Sequence, residues 1–133
     1  MSEKSTNAEI RVDVNYANDL ITDIFKAKSC NDHEARTIAQ RLSGSNLVGH
    51  DSHGIARVPR YVEWMERGWV FPNLKPEVVI DAGAMGCLDA KQGFGQVAGE
   101  YAVDDGITRA KKHGVSVVGL RNSGHLGRIG DWA

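Results

Sequence analysis

The sequence predicts an α/β chain in two parts, a helical N-terminal unit over residues 1–75 and the beginning of an α/β domain over residues 76–133. Three observations carry this. Apolar residues recur at helical spacing in two early stretches, Ala17, Leu20, Ile21 and Ile24, then Ala35, Ile38, Ala39 and Leu42. A connector from Gly68 to Pro76 holds Pro72 and Pro76 and breaks the helical pattern. Beyond it, short β-prone runs flank one long helical stretch, and strand–helix–strand order marks α/β architecture.

Residues up to about Val14 read as a flexible lead-in, with a short extended piece at Ile10 to Val14. The first helix ends near Lys28. Asn31 is placed to cap the second helix, with Glu34 three residues later as in a capping box. A third helix starts near Val58. Pro59 suits its first turn, where a missing N–H costs nothing, and Gly68 is a fitting stop. Val78-Val79-Ile80 predicts a strand, Asp81 to Gly86 a turn, and Cys87 to Ala90 a second strand. A helix over Gln96 to Lys112, with Val97, Ala98, Tyr101 and Ala102 on one face, ends at Gly114; Lys111 and Lys112 suit its C-terminal dipole. Val115 to Leu120 reads as a buried strand. Ile129 to Ala133 looks like the start of another helix.

Composition narrows the function classes. The 133 residues carry a formal charge of -1, which gives no electrostatic footprint for nucleic acid or an anionic membrane. No apolar run is long enough to span a bilayer, and the polar stretch from Met1 to Asn7 has no signal-peptide core. Cys30 and Cys87 lie far apart without CxxC spacing, so free thiols in a reducing cytoplasm are the simplest reading.

Two polar loops concentrate the chemistry. The first, Gly49 to Tyr61, holds His50, Ser52, His53, Arg57 and Tyr61 in one turn and the start of one helix. An arginine fork suits a carboxylate, hydroxyls hold a second oxygen, and histidine moves protons near neutral pH. That set suits a small anion bearing a hydroxyl or carbonyl. A structural reading stands equally open: Ser52 capping a turn, Arg57 in a surface ion pair, Tyr61 in a core. The second loop, Arg121 to Gly127, carries His125 directly after a Val-rich strand. Ligands of open α/β sheets gather at that end of a strand, and a histidine there is a candidate general acid/base. Its bland alternative is a helix cap.

Other motifs are weaker. Gly93-Phe94-Gly95-Gln96-Val97-Ala98-Gly99 opens a helix as a dinucleotide-binding loop would. However, the preceding strand ends in Asp89-Ala90-Lys91-Gln92, and no acidic residue follows the next strand to take a ribose. These glycines read as helix-start and packing positions. His50 and His53 form an HxxH without further matched ligands, so no metal is assigned. His33 and His113 read as solvated helix residues.

Together the two loops resemble the type-2 malate/L-lactate dehydrogenase family, which includes ureidoglycolate, sulfolactate and diketogulonate-type oxidoreductases. The resemblance rests on Ser52-His53-Gly54 with Arg57, Pro59 and Tyr61, and on Ser123, His125 and Gly127, and it runs from the first helix to the last residue. It implies NAD- or NADP-dependent hydride transfer between a 2-hydroxy acid and a 2-oxo acid, in a dinucleotide-binding fold that is not Rossmann. It implies His125 as the catalytic acid/base, and Ser52, His53, Arg57 and Tyr61 around substrate and nicotinamide. A homodimer is also implied. Family members are more than twice this long, so the sequence is expected to be an N-terminal portion, inactive alone, with a catalytic lysine and most cofactor contacts beyond Ala133. Two rival readings are a non-catalytic binding or subunit-interaction module of that family and a metal-dependent hydrolase built on His50, His53 and His125.

Overall fold

The computed structural model describes residues 11–132. Helix α1 spans Val14–Ala27. Asp13 is its cap, accepting the N–H groups of Asn15 and Tyr16 at 2.9 and 3.1 Å. The expected extended piece therefore stops before Val14, because a carboxylate one residue upstream satisfies the helix's free donors; Ile10 lies outside the described residues.

Helix α2 spans Asp32–Leu47, and the Asn31 side chain accepts the Glu34 N–H at 2.9 Å. The capping box is only half formed. Glu34 turns instead toward the connector and accepts the Asn73 N–H at 2.8 Å, while Asn73 Oδ1 takes the Asn31 N–H at 2.7 Å. Asn73 Nδ2 completes the clasp on the Ser29 carbonyl at 2.7 Å. The connector is thus tied to the α1–α2 junction.

The helical core joins Ile21 and Phe25 of α1 to Ala35, Ile38, Ala39 and Leu42 of α2. Burial of each large side chain is worth about 1.5–3 kcal/mol. Of the expected α1 stripe, Ala17 and Ile21 are buried with Phe25, whereas Leu20 is exposed. Leu20 and Ile24 instead line an open apolar groove with Val12, Tyr16, Ile55 and Val58. The short helix α3, Val58–Glu66, follows with Pro59 in its first turn, and Gly68 at φ +68° ends it. The core continues past residue 75, for Phe94 and Val97 belong to the same cluster. Phe94 meets Phe25 edge-on at 5.7 Å.

Strands β1, Glu77–Ala82, and β2, Met85–Asp89, form an antiparallel hairpin. The turn is tighter than expected, two residues with Gly83 at φ +68°. Helix α4, Gly95–His113, then crosses to β3, Val117–Arg121, which pairs with β2 in parallel. The expected βαβ order is present, and the sheet order is β1-β2-β3. Arg109 of α4 reaches Asp105, Asp81 and the carbonyls of Gly83 and Met85, pinning helix to hairpin. A Cβ at Gly86 would sit 2.6 Å from that guanidinium.

One expectation fails in the sheet. β3 was read as buried, yet its residues alternate between exposed and half-buried, and β1 is exposed throughout. The three-stranded sheet has α4 against it, and β3 lies at an edge. Valine content reports β-propensity, whereas burial depends on what covers the strand.

Candidate active site

The first loop is built by two 3₁₀ turns, Asp51–His53 and Ile55–Arg57, hinged at Gly54. Asn46, in the last turn of α2, holds both. Its Oδ1 accepts the Ile55 N–H at 2.8 Å and its Nδ2 donates to the Asp51 carboxylate at 2.7 Å. A Cβ on Gly54 would fall on the Asn46 amide, so only glycine lets the clamp close. Arg57 Nε donates to the Ser52 carbonyl at 2.6 Å, and Ser52 Oγ lies 2.9 Å from His53 Nδ1. Ser52, His53 and Arg57 are thereby brought together.

The second loop is carried to the same place by pairing that continues beyond the strands. Ala90 N–H donates to the Arg121 carbonyl, Gln92 N–H to Asn122 and Gly124 N–H to Gly93, at 2.6–2.9 Å. Asp89 gathers this crossing, accepting from Arg121, Asn122 and the Lys91 N–H, and these donors hold its carboxyl below the usual range. Lys91, Gln92 and Asn122 all adopt positive φ there, a concentration of unfavourable backbone typical of functional loops.

The two loops meet through Tyr61 and His125, which are 64 residues apart in the chain. Tyr61 Oη is 2.8 Å from His125 Nδ1, and the Gln96 side chain donates Nε2–H to that same oxygen at 2.6 Å. The Gly127 N–H also points at Nδ1, at 3.3 Å. The His53 ring lies 5.0 Å from the His125 ring, and His50 stands edge-on to His53 at 4.5 Å. Trp64 stacks on Tyr61 at 5.4 Å.

Electrostatics follow from this packing. Burial first, then the charges of Arg57 and His53, lower the pKa of His125. Desolvation, His50 and Arg57 lower that of His53. Burial raises the Tyr61 hydroxyl, against the opposing pull of Gln96 and Arg57. Both histidines are thus biased toward the neutral imidazole at neutral pH. Arg57 makes no ion pair with any acidic side chain among the described residues, so its charge is available to an anion.

All five expected site residues lie in this cluster, with different roles. Tyr61 is fully buried, and its hydroxyl is taken by His125 and Gln96. It stands behind His125, in the core as the structural reading of the loop had it, and touches the site through the imidazole. Gln96 and Asn46 were not anticipated. Both are polar residues within helices, where nothing local separates a buried positioning amide from a solvated one. Gly93, Gly95 and Gly99 are packing positions: Cβ atoms there would strike Leu74 and the Ala90 carbonyl, the Gly124–His125 backbone, and the Trp132 ring respectively. Among the described residues, no three His, Cys, Asp or Glu side chains converge as metal ligands would.

Comparisons with known proteins agree with the geometry. A model of the malate/L-lactate dehydrogenase family matches residues 12–133. The chain is 41% identical over 123 residues to hydroxycarboxylate dehydrogenase B of Escherichia coli, covering 92% of this chain and 34% of that protein. It is 34% identical over 111 residues to L-sulfolactate dehydrogenase of Methanocaldococcus jannaschii, covering 84% and 32%. It superposes on the malate dehydrogenase of Pyrococcus horikoshii with a TM-score of 0.89 at 31% identity, covering all of this chain and 39% of that one. The chain thus spans about a third of the length of the curated relatives it matches. With its fold, its paired loops and this match over nearly every residue, the chain belongs to the malate/L-lactate dehydrogenase family.

Proposed function

We propose that these residues form the substrate-binding and proton-transfer part of an oxidoreductase that moves a hydride between a small 2-hydroxy acid and the corresponding 2-oxo acid. The observation that carries this reading is the meeting of His125 with His53 and the unpaired charge of Arg57, backed by the Tyr61 hydroxyl. Arg57 binds the substrate carboxylate, because a guanidinium fork matches two carboxylate oxygens. Ser52 and His53 orient the neighbouring oxygen. His125 donates a proton to the carbonyl oxygen as it gains charge during reduction, and recovers it in the reverse direction.

NAD or NADP would supply the hydride when bound. At its reacting end the half-buried His53 and His125 rings and the glycine-bounded loop from Gly124 to Gly127 would lie against the nicotinamide. The Gly93–Gly99 stretch does not fit its phosphates, since protein atoms fill the space at Gly93, Gly95 and Gly99. This supports a dinucleotide fold other than Rossmann, with residues 1–75 presenting substrate groups and residues 76–133 beginning the cofactor domain. On this reading residues 1–133 alone do not turn over, and the complete enzyme is a homodimer of the reducing cytoplasm.

A second reading, a binding or subunit-interaction module, draws on the open apolar groove beside α1. Kinetics of the full-length polypeptide separate the two. His125→Ala lowers kcat by about 10²–10⁴-fold, the usual reach of acid–base catalysis. Arg57→Ala acts mainly on KM. An unchanged kcat for His125→Ala removes the proton-transfer assignment, whereas a native full-length protein that self-associates and turns over no 2-oxo acid favours the module.

A further inference from the structure

Gln96 is a costly way to fill a core. It is completely buried in the first turn of α4, and its Oε1 has no partner. Only its amide N–H is used, on Tyr61 Oη at 2.6 Å. With the amide in that orientation the proton positions follow in a chain. Tyr61 has a single hydroxyl proton, and an oxygen accepting from Gln96 directs that proton to its other neighbour, His125 Nδ1. The Gly127 N–H also points at Nδ1, and a backbone amide can only donate. Nδ1 therefore carries the lone pair and Nε2 the proton. Turning the Gln96 amide over would reverse every bond. It would also set a protonated Nδ1 against the Gly127 N–H and bury an unpaired NH₂ in place of an unpaired oxygen.

We infer that Gln96 is a positioning residue, which acts through Tyr61 to hold His125 as the tautomer with its proton on Nε2, ready to donate. The inference rests on the reading of His125 as the proton donor. The balance is complete within the three side chains and solvent. As the carbonyl carbon receives hydride, the Nε2–H bond breaks and the substrate O–H bond forms. The Tyr61 O–H bond breaks and Nδ1–H forms, so the imidazole stays neutral. The phenolate is held by the Gln96 N–H and the nearby positive charge of Arg57 until the half-buried His125 takes up a solvent proton at Nε2 and Nδ1 returns its own proton to the Tyr61 oxygen. Arg57 and His53 are the other charged or titratable groups whose fields reach His125.

Long-range ¹⁵N–¹H NMR of the histidine rings in the full-length protein, with His125→Ala to assign the signals, tests this. Native His125 is expected to show a pyridine-type Nδ1 and a pyrrole-type Nε2. Gln96→Met keeps the volume but removes the donor. Tyr61→Phe keeps the ring but removes the hydroxyl. Each is expected to release a measurable Nδ1–H population and to lower kcat about tenfold or more with KM nearly unchanged. A native His125 protonated on Nδ1 overturns the inference. So does a folded Gln96→Met or Tyr61→Phe protein that keeps the single native tautomer. Should neither variant fold, the native spectrum still overturns the inference where Nδ1 carries the proton. The expected tautomers combined with a fully active His125→Ala enzyme would leave the positioning of the tautomer standing and remove the function proposed for His125.

Discussion

Gly95→Ala is the sharpest test of how the site is held. Gly95 opens α4, and its α-carbon faces the backbone of the second loop. A methyl group there would lie deep inside contact distance of the Gly124 carbonyl, the His125 carbonyl oxygen and the His125 carbonyl carbon. None of these is the tip of a flexible side chain. To reach ordinary van der Waals separation the loop must retreat by about an ångström. The Tyr61–His125 bond, 2.8 Å long, would then stretch beyond hydrogen-bonding range. Overpacking of this kind costs about 1–3 kcal/mol, well above the few tenths that alanine returns through helix propensity at a first helical position. Displacing a reacting group by an ångström costs about 10²-fold in rate. Thermal denaturation and steady-state kinetics of the full-length protein give both numbers. The expected result is a lower Tm and a kcat about a hundredfold down, with dinucleotide binding little changed. An unaltered Tm and kcat would refute the packing argument. Loss of dinucleotide affinity alone would mean that this glycine serves a phosphate after all.

Two further outcomes follow from the same geometry. Gly54→Ala drives a methyl into the Asn46 amide and opens the clamp on Ile55 and Asp51; KM for the acid substrate should rise more than tenfold, since the Ser52–Arg57 turn is displaced, and substrate titration reads this directly. Glu34 is buried and its pKa is raised, chiefly by desolvation. The native state therefore holds its proton to higher pH than the unfolded chain does. Its contribution is fully present below the ordinary value of 4.5 and is lost as pH rises through the raised value. Glu34→Gln should make Tm fall less, relative to the native protein, as pH climbs from 4 to 7. Parallel Tm profiles for the two proteins would contradict this.

Features controlled by near neighbours were legible. Asn31 capping α2, Pro59 entering α3 and Gly114 ending α4 at φ +82° each depend on a few consecutive residues. The two site loops were legible because Gly54, Ser52, His53 and Arg57 are close in sequence, and because His125 follows a Val-rich strand directly. Leu20 was misjudged. Periodicity marks an apolar face, and Leu20 lies at the edge of that face, over the groove rather than the core. The reading of β3 as buried failed for a related reason, since a strand's covering is supplied by other elements.

By itself, the sequence determined the helices, the Asn31 cap of α2 and the glycine stops of α3 and α4, the strand–helix–strand order, and the residue types able to hold a carboxylate and move a proton. Those follow from backbone preferences and side-chain chemistry that act over a few residues. Only the tertiary structure decided that Tyr61 lies behind His125, that Gln96 fills the space beneath them, and that Gly95 yields its Cβ volume to the His125 loop. Each of these joins residues 29 or more positions apart through packing. A contact of that kind is set by the volume left between α3, α4 and the loop after β3, which no local stretch encodes.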